Sequence, residues 1–236
     1  MATLIEGLCG KLIVSCQAGV DEPLHGPAFM AAMARAAELG GAAGIRANGP
    51  ADIAAIRAAV SLPIIGINKK RYPGCPVYIT PSFADAKAVV EAGAHIVALD
   101  GTSRPRPEGV SLAELVARIR GELGVPVMAD LSCLEDARAA QQAGVDLLAT
   151  TLAGYTAHGR PATPGPDLDL ISQLVEHSGL PVIAEGRFVE PAQVAEAFAR
   201  GAHAVVVGSA ITRPQAITRR FVEATPAHRP EPHTQV

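Results

Sequence analysis

The order of apolar and helical segments is the feature that most limits how this chain can fold. Eight short runs rich in Val, Ile, Leu and Ala have the length of buried strands: KLIVSCQ, AAGIRAN, PIIGIN, HIVALD, PVMAD, DLLAT, PVIAEG and AVVVGSA. Between them, segments such as PAFMAAMARAAELG repeat apolar residues three and four positions apart, the spacing of one buried helix face. Near-continuous apolar strands are typical of parallel sheets that are covered on both faces. The sequence therefore predicts an α/β protein built from strand–helix units.

The eightfold repetition, without a linker, predicts a single-domain (β/α)8 TIM barrel. A doubly wound open sheet stays as the alternative, because the order of segments does not show whether a sheet closes. We expect the catalytic barrel over residues 1–224 and a disordered tail over residues 225–236, where the chain becomes polar and Pro-rich. The segment YTAHGRPATPGPD (155–167) is too long and too rich in Gly and Pro for a simple connection. It is either a lid over a site or a surface insertion.

Composition narrows the classes of partner and compartment. The net charge of −3 does not provide the basic surface expected of a protein that binds nucleic acid or an anionic membrane. No apolar run approaches the roughly 18 residues of a membrane span, and no signal-peptide pattern begins the chain. The four cysteines lack disulfide-type spacing, and the seven histidines lack metal-type pairing. We therefore expect a cytoplasmic protein without a metal, a nucleic-acid partner or a membrane partner.

Polar residues stand at the ends of the predicted strands, and the carboxyl ends of barrel strands form the active face of a TIM barrel. They are Gln17, Arg46, Asn48, Lys69, Asp100, Asp130, Thr150, Thr151, Glu185, Gly208 and Ser209. An ionisable group at the end of a buried strand is costly unless it is paired or binds something. A structural ion pair accounts for one such residue, whereas a polar ligand accounts for several. The pattern therefore predicts a polar binding site.

The last two strands end in turns that favour an anion. Barrels often bind phosphate after strands 7 and 8, through backbone N–H groups of glycine turns and a short helix N-terminus. The segments AEGRF and VVVGSAITRP occupy these positions. Arginine side chains there can add charge-assisted hydrogen bonds, and a serine hydroxyl can add a donor. The predicted phosphate-binding residues are Gly186, Arg187, Gly208, Ser209 and Arg213.

Several motifs together resemble the N-acylglucosamine-6-phosphate 2-epimerases, also called N-acetylmannosamine-6-phosphate 2-epimerases. VSCQA, DEPLH and GIRAN are the most specific, and LPIIGINKK, IVALDGT, TTLAGYT, PVIAEGR and AVVVGSAITRP agree with them. The resemblance implies a (β/α)8 isomerase of amino-sugar and sialic-acid catabolism. It would interconvert N-acetylmannosamine 6-phosphate and N-acetylglucosamine 6-phosphate, without a cofactor, as a homodimer.

The resemblance also implies roles for individual residues. The family's catalytic lysine lies in a GI-x-K-R-D-Y pattern that aligns with residues 66–72 and assigns Lys69, and the carboxylate of its AEG motif aligns with Glu185. The implied substrate-binding residues are Gln17, Arg46, Asp130, Thr151 and Tyr155. One departure stands out, because Arg71 replaces the acidic residue of the family pattern.

The implied chemistry explains why a lysine is wanted at the end of a buried strand. Inversion at C2 requires a base within about 3 Å of the proton alpha to the carbonyl of the open-chain sugar. A lysine is a base only when neutral, and burial with neighbouring cations such as Lys70, Arg71 or Arg46 would lower its pKa. Glu185 could assist ring opening, shuttle a proton at the carbonyl oxygen or act as a second base.

The residues alone leave two further functions open. A Schiff-base aldolase or lyase of a sugar phosphate would also want a lysine of lowered pKa at a strand end. A non-catalytic sugar-phosphate-binding barrel would use the same scaffold.

Overall fold

Eight parallel strands form a closed barrel in the computed structural model, which describes residues 2–157, 159 and 161–228. Each strand pairs with the next along the chain, and β8 pairs with β1. The strands are β1 (Lys11–Cys16), β2 (Gly44–Asn48), β3 (Ile64–Ile67), β4 (Ile96–Asp100), β5 (Val127–Asp130), β6 (Leu147–Ala149), β7 (Val182–Glu185) and β8 (Ala204–Val207). The predicted TIM barrel is confirmed, and closure rules out the open sheet.

The helices occupy two places: the first precedes β1 and packs against the core inside the barrel, and those that follow each strand form the outer layer. The helices are α1 (Ala2–Glu6), α2 (Pro27–Leu39), α3 (Pro50–Ala59), α4 (Phe83–Glu91), α5 (Leu112–Arg118), α6 (Leu134–Gln142), α7 (Leu168–Ser178), α8 (Pro191–Ala199), α9 (Ser209–Thr212) and α10 (Pro214–Glu223). A π-helical turn at Ile119–Leu123 extends α5, and short 3-10 turns lie at Pro107–Gly109 and Pro226–His228. Of the predicted tail, residues 229–236 lie outside the described residues. No helix in the described ranges is long and apolar enough to cross a membrane.

The core has two parts because each strand is covered on both faces. Inside the barrel, fully buried side chains from alternate strand positions pack together, among them Ile65, Ile96, Met128, Leu147 and Ile183. Leu8 and the partly buried side chains of α1 pack against this inner cluster. A larger cluster lies between the strands and the helices, which explains the near-continuous apolar strands.

The carboxyl end of the barrel carries the loops that shape a site. The loop between β3 and α4, residues 68–82, folds back on itself. Within it, Lys69 pairs antiparallel with Ile79, and the Thr80 N–H donates to the Asn68 carbonyl at 2.9 Å. Lys69 is therefore held at the rim of the barrel rather than on a free loop.

Candidate active site

A cavity of about 670 Å³ opens at the carboxyl end of the strands. Eleven of the twelve site residues predicted from the sequence border it: Gln17, Arg46, Lys69, Thr151, Tyr155, Glu185, Gly186, Arg187, Gly208, Ser209 and Arg213. They come from the ends of β1, β2, β3, β6, β7 and β8 and from the loops that follow them, in agreement with the strand-end argument. Asp130 is the exception, since its side chain is fully buried behind the cavity wall.

Arg46 is the centre of the polar network at the cavity floor. Its guanidinium donates to both carboxylate oxygens of Asp130, with Nη1 3.0 Å from Oδ1 and Nη2 2.5 Å from Oδ2. Nη1 also lies 2.5 Å from Glu185 Oε2. Burial opposes the charge on Arg46, but the two carboxylates outweigh it and raise the pKa of this guanidinium above its ordinary value. Arg46 is therefore a permanent buried cation.

Asp130 acts on the site through Arg46. The bidentate pairing fixes the plane of the guanidinium, which is the geometry that arginine and carboxylate groups favour. The second contact of Asp130 is with Thr151, whose hydroxyl donates to Oδ1 at 2.7 Å. The sequence interpretation gave Asp130 a direct contact with substrate. In the structure its carboxylate contacts Arg46 and Thr151, and a contact with substrate stays a prediction.

Glu185 is held by both its backbone and its side chain. The Thr150 hydroxyl accepts from the Glu185 N–H at 3.0 Å and donates to its carbonyl at 2.9 Å. The carboxylate is 12% exposed, and Oε2 lies 3.1 Å from the Thr151 hydroxyl in addition to the Arg46 bond. Among the described residues, none donates to Oε1. Burial, together with the negative charge of Asp130, raises the pKa of Glu185, although Arg46 and Thr151 oppose the shift.

Lys69 reaches the cavity from the other side. Its N–H donates to Asn48 Oδ1 at 2.8 Å, which ties the residue to the end of β2. Lys69 is an exposed residue at the rim of the cavity, but protein atoms near its side chain displace part of the water around the amine. This desolvation, followed by the positive charge of Arg46, lowers the pKa of Lys69. Arg213 lowers the pKa further, whereas Glu185 and Asp130 oppose the change.

The two other cations of the KKR run are not among the main causes of the lowered pKa of Lys69. Lys70 lies over the ring of Tyr72, with Nζ 4.9 Å from the ring centroid, and Arg71 lies 5.3 Å from the centroid of Tyr78. Both are exposed side chains. The sequence interpretation offered Lys70 and Arg71 as possible causes of a lowered lysine pKa. In the structure, desolvation and the positive charges of Arg46 and Arg213 lower the pKa of Lys69.

The positions of Lys69 and Glu185 in the barrel are opposite. Lys69 follows β3 and Glu185 ends β7, and four steps around a closed eight-stranded barrel lead to the facing wall. A planar group bound between them would present one face to the amine and the other to the carboxyl group.

Gln17 has hydrogen-bonding capacity that the protein does not use. Its Nε2 donates to the Ser15 hydroxyl at 2.8 Å, while Oε1 is buried and has no partner in the described part of the chain. A buried acceptor without a donor is costly. An N–H or O–H group of a bound molecule would satisfy it after a small rotation of the amide.

The predicted phosphate cradle lies on one side of the cavity. Gly208 precedes the short helix α9, whose first N–H groups have no partner inside the helix, and Arg213 follows its last residue. The Arg213 guanidinium donates to Glu22 at 2.7 Å, so it is anchored beside the cavity by the loop after β1. Arg187 is used differently, because it donates to the carbonyls of Ala153 and Gly165.

Arg187 therefore connects the strand 7 turn to the described part of the segment 155–167. Its guanidinium lies 5.4 Å from the ring centroid of Tyr155, a 59% exposed side chain at the cavity rim. Thr163, Pro164 and Gly165 of the same segment also border the cavity. These contacts place the segment beside the site, and its action as a lid stays a prediction.

Sequence reasoning missed several wall residues. Tyr78 and Ile79 lie in the β3–α4 loop, and Thr212 is the last residue of α9. Ser15 lies in β1, two positions before Gln17. Only Ser15 had a usable signal, since side chains two residues apart in a strand share a face. Cys16 does not border the cavity, and burial raises the pKa of its thiol to about 12, which disfavours a reactive thiolate. Within the described ranges, no group of three His, Cys, Asp or Glu residues could hold a metal ion.

Comparisons with known proteins agree on one family. The family model described as "Putative N-acetylmannosamine-6-phosphate epimerase" matches residues 30–227. A protein of Caldanaerobacter subterraneus subsp. tengcongensis with the same description, as a 2-epimerase, is 50% identical over 220 residues, 93% of this chain and 92% of the relative. Its counterpart in Thermosynechococcus vestitus is 52% identical over 231 residues, 97% of each chain.

A solved structure extends the similarity to three dimensions. The N-acetylmannosamine-6-phosphate 2-epimerase from Clostridium perfringens has a TM-score of 0.91 and 42% sequence identity, covering 94% of this chain and 96% of that one. The resemblance inferred from the motifs is therefore confirmed.

Proposed function

The chain belongs to the N-acetylmannosamine-6-phosphate epimerase family and is a sugar-phosphate epimerase, and we propose that Lys69 and Glu185 carry out its proton transfers. The observation that supports this assignment most directly is their placement on facing walls of one cavity, with pKa values displaced toward each other. The substrates are N-acetylmannosamine 6-phosphate and N-acetylglucosamine 6-phosphate. The aldolase and binding-module alternatives are not favoured, since the relatives are epimerases.

The proposed reaction begins from the open-chain aldehyde. Neutral Lys69 removes the proton at C2, alpha to the C1 carbonyl, and the electron pair moves into an enolate whose charge lies on O1. Glu185, in its carboxylic acid form, delivers a proton to the opposite face of C2. The reverse direction uses the Glu185 carboxylate as the base and the Lys69 ammonium as the acid, so protons balance in both directions.

The displaced pKa values make this exchange feasible. The ordinary values for lysine and glutamate, about 10.4 and 4.3, would make the neutral pair roughly a one-in-a-million form of the site. Burial disfavours both charges, so it lowers the pKa of Lys69 and raises that of Glu185. A smaller difference between the two pKa values brings the neutral pair, used in one direction, closer in free energy to the charged pair, used in the other.

The remaining site residues bind the substrate and stabilise the negative charge that forms during the reaction. Arg46 is the fixed cation nearest the reacting groups and stabilises the negative charge that develops on O1. Gln17 accepts from the N-acetyl N–H or a hydroxyl through its unpartnered Oε1. The turns at Gly186 and Gly208, with Ser209 and Arg213, hold the 6-phosphate. Asp130 keeps Arg46 in place, and Thr151 serves both carboxylates.

We further propose that the protein is a cytoplasmic homodimer. A hexosamine phosphate carries close to two negative charges at neutral pH, so it remains in the compartment where it is made. Cys9 is exposed and Cys75 partly so, and both are free thiols, which suits a reducing environment. Helix α10 has no buried residue in the single chain, and its apolar positions are available to a second copy.

The test is proton NMR in D2O with N-acetylmannosamine 6-phosphate and the wild-type protein, Lys69→Ala and Glu185→Gln. We expect the wild type to form the gluco epimer with deuterium at C2. Unreacted substrate should keep its C2 hydrogen early in the reaction, because different groups act on the two faces. Each variant should lose at least about 100-fold in kcat, the usual contribution of a positioned acid or base.

Three outcomes would contradict parts of the proposal. No conversion by folded wild-type protein would contradict the activity itself. Substrate that exchanges its C2 hydrogen as fast as product forms would indicate one base acting on both faces. Inactivation by borohydride only when substrate is present would indicate a covalent lysine adduct and revive the aldolase alternative.

A further inference from the structure

A buried carboxylate outside the cavity wall holds the loop that carries Lys69. Asp85 lies in the first turn of α4 and is 3% exposed. Its Oδ1 accepts from the Asn68 side-chain amide at 3.0 Å, and its Oδ2 accepts from the Tyr72 hydroxyl at 3.0 Å. Asn68 immediately precedes Lys69, and Tyr72 follows it by three residues. One carboxylate therefore anchors the chain on both sides of Lys69.

These contacts exceed what a helix terminus requires. Ser82 already caps α4, since its hydroxyl accepts from the Asp85 N–H at 3.3 Å and donates to Asp85 Oδ2 at 2.6 Å. No arginine or lysine forms a salt bridge with Asp85 in the described part of the chain. A buried carboxylate served by neutral donors is costly to keep. Its further bonds to Asn68 and Tyr72 have no role in capping and act only on the β3–α4 loop.

The same loop is restrained from its other side. Thr80 has a φ of +44°, an uncommon conformation for a residue with a β-carbon, and its hydroxyl donates to the Ala98 carbonyl at 2.6 Å. That hydroxyl also accepts from the Asn68 N–H at 3.1 Å. Asn68 is thus bonded to Thr80 through its backbone and to Asp85 through its side chain.

The restraint matters because lysine is long and flexible. Four rotatable bonds separate the Lys69 backbone from Nζ, so the backbone must be fixed for the amine to meet C2 reproducibly. A misplacement of about 1 Å can cost on the order of 100-fold in rate. A looser loop would also admit water around the amine and weaken the burial that lowers the pKa of Lys69.

We propose that Asp85 is a positioning residue for the epimerisation, acting on Lys69 through Asn68 and Tyr72. The inference rests on the proposed catalytic role of Lys69. It also gives this chain a carboxylate that orders the lysine loop although Arg71 occupies the acidic position of the family pattern. Asp85 touches neither the cavity nor the reacting atoms.

The test compares Asp85→Asn and Tyr72→Phe with Ser111→Ala. The first two remove anchors of the Lys69 loop with little change in shape. Ser111→Ala removes the N-cap of α5, where the serine hydroxyl bonds to the N–H and carboxylate of Glu114 as Ser82 does to those of Asp85, but without contact with Lys69. We expect kcat to fall about 10- to 100-fold in Asp85→Asn, less in Tyr72→Phe, with KM changed about twofold or less. The alkaline limb of the kcat profile should move to higher pH in both.

The control separates positioning from stability. Ser111→Ala should lose thermal stability while keeping the wild-type kcat and alkaline limb. If Asp85→Asn and Tyr72→Phe, folded by circular dichroism, keep the wild-type kcat and limb, the inference is overturned. It is also overturned if their loss of kcat vanishes after correction for the folded fraction. An inactive wild type would instead overturn the proposed function, which the first measurement of the series reveals.

Discussion

Arg46 is a buried residue that pairs with two carboxylates, one buried behind the cavity and one at its wall. It neutralises the fully buried Asp130 and at the same time holds Glu185 at the cavity wall. Removing one partner of such a buried set leaves an uncompensated charge, which typically costs about 3–5 kcal/mol. The same positive charge disfavours the ammonium form of Lys69. In the proposed mechanism, Arg46 thus favours the neutral, basic form of Lys69 and holds Glu185 in place, although its charge opposes the protonated form of Glu185.

The pH dependence of kcat should report both displaced groups. In the proposed mechanism, the active forms of the site share one proton between Lys69 and Glu185. Activity therefore falls at low pH, where both groups are protonated, and at high pH, where neither is. Because the pKa of Glu185 is raised and that of Lys69 lowered, we expect the acid limb above about 4.3 and the alkaline limb below about 10.4.

The measurement is the pH profile of kcat alongside that of kcat/KM. Ionisation of the free substrate phosphate, with a second pKa near 6, affects only kcat/KM, so the limbs of kcat belong to the enzyme–substrate complex. In Glu185→Gln the limb of Glu185 should be lost, and the residual kcat should rise with pH as Lys69 becomes neutral. An alkaline limb at the ordinary lysine value would contradict the lowered pKa of Lys69.

Strand β3 is the element whose placement matters most for the base. Gly66 lies three residues before Lys69, and a Cβ added there would come within 2.5 Å of the Ala94 Cβ and 3.3 Å of the Val89 Cβ. Both neighbours belong to the α4 region that packs on this strand. The glycine therefore sets how closely α4, with its Asp85 anchor, approaches β3.

We predict that Gly66→Ala lowers the free energy of unfolding by about 1–3 kcal/mol, the usual cost of overpacking. Because the strand or α4 must shift, kcat should fall as well. Urea denaturation and the NMR assay measure the two effects. The matched control is Gly121→Ala, where an added Cβ meets nothing within 4 Å in a helical turn. It should be neutral or stabilising by up to about 1 kcal/mol, and equal behaviour of the two variants would contradict the role of Gly66.

Helix α10 exposes apolar side chains on the surface of the molecule. Helix α10 buries no residue, Phe221 is 74% exposed, and Val222 next to it is partly exposed. Arg220 of this helix forms an ion pair with Glu190 at the start of α8. An ordered helix with exposed apolar residues is suited to an interface, and closed twofold dimers are the commonest symmetric assemblies.

We predict that the wild type has twice the 24.2 kDa mass of one chain in solution, and that Phe221→Asp shifts it toward the monomer. Sedimentation equilibrium measures the mass. Leu39→Asp introduces the same charge at an 87% exposed position at the end of α2 and should leave the mass unchanged. A wild-type monomer, or a dimer unaffected by Phe221→Asp, would contradict an interface on α10.

Much of the fold and a large part of the site followed from order along the chain. The strand–helix alternation predicted the barrel, and the positions of Lys69 and Glu185 at strand ends placed them in the cavity. The placement of Asp130 behind Arg46 did not follow. Neither did the use of Arg187 for loop contacts, since a residue at a strand end can point into the cavity or bond to its own surroundings.

The sequence by itself determined the barrel, the family and the end of the barrel that holds the site. These depend on periodicity, strand-end position and local motifs, which are properties of neighbouring residues. Only the tertiary structure decided which charges meet. Arg46 is 84 residues from Asp130 and 139 from Glu185, and its bonds to them exist because closure of the sheet brings β2, β5 and β7 around one axis. The pKa values of Lys69 and Glu185 depend on that burial and those distances, so the chemistry of the site is settled by packing across the barrel.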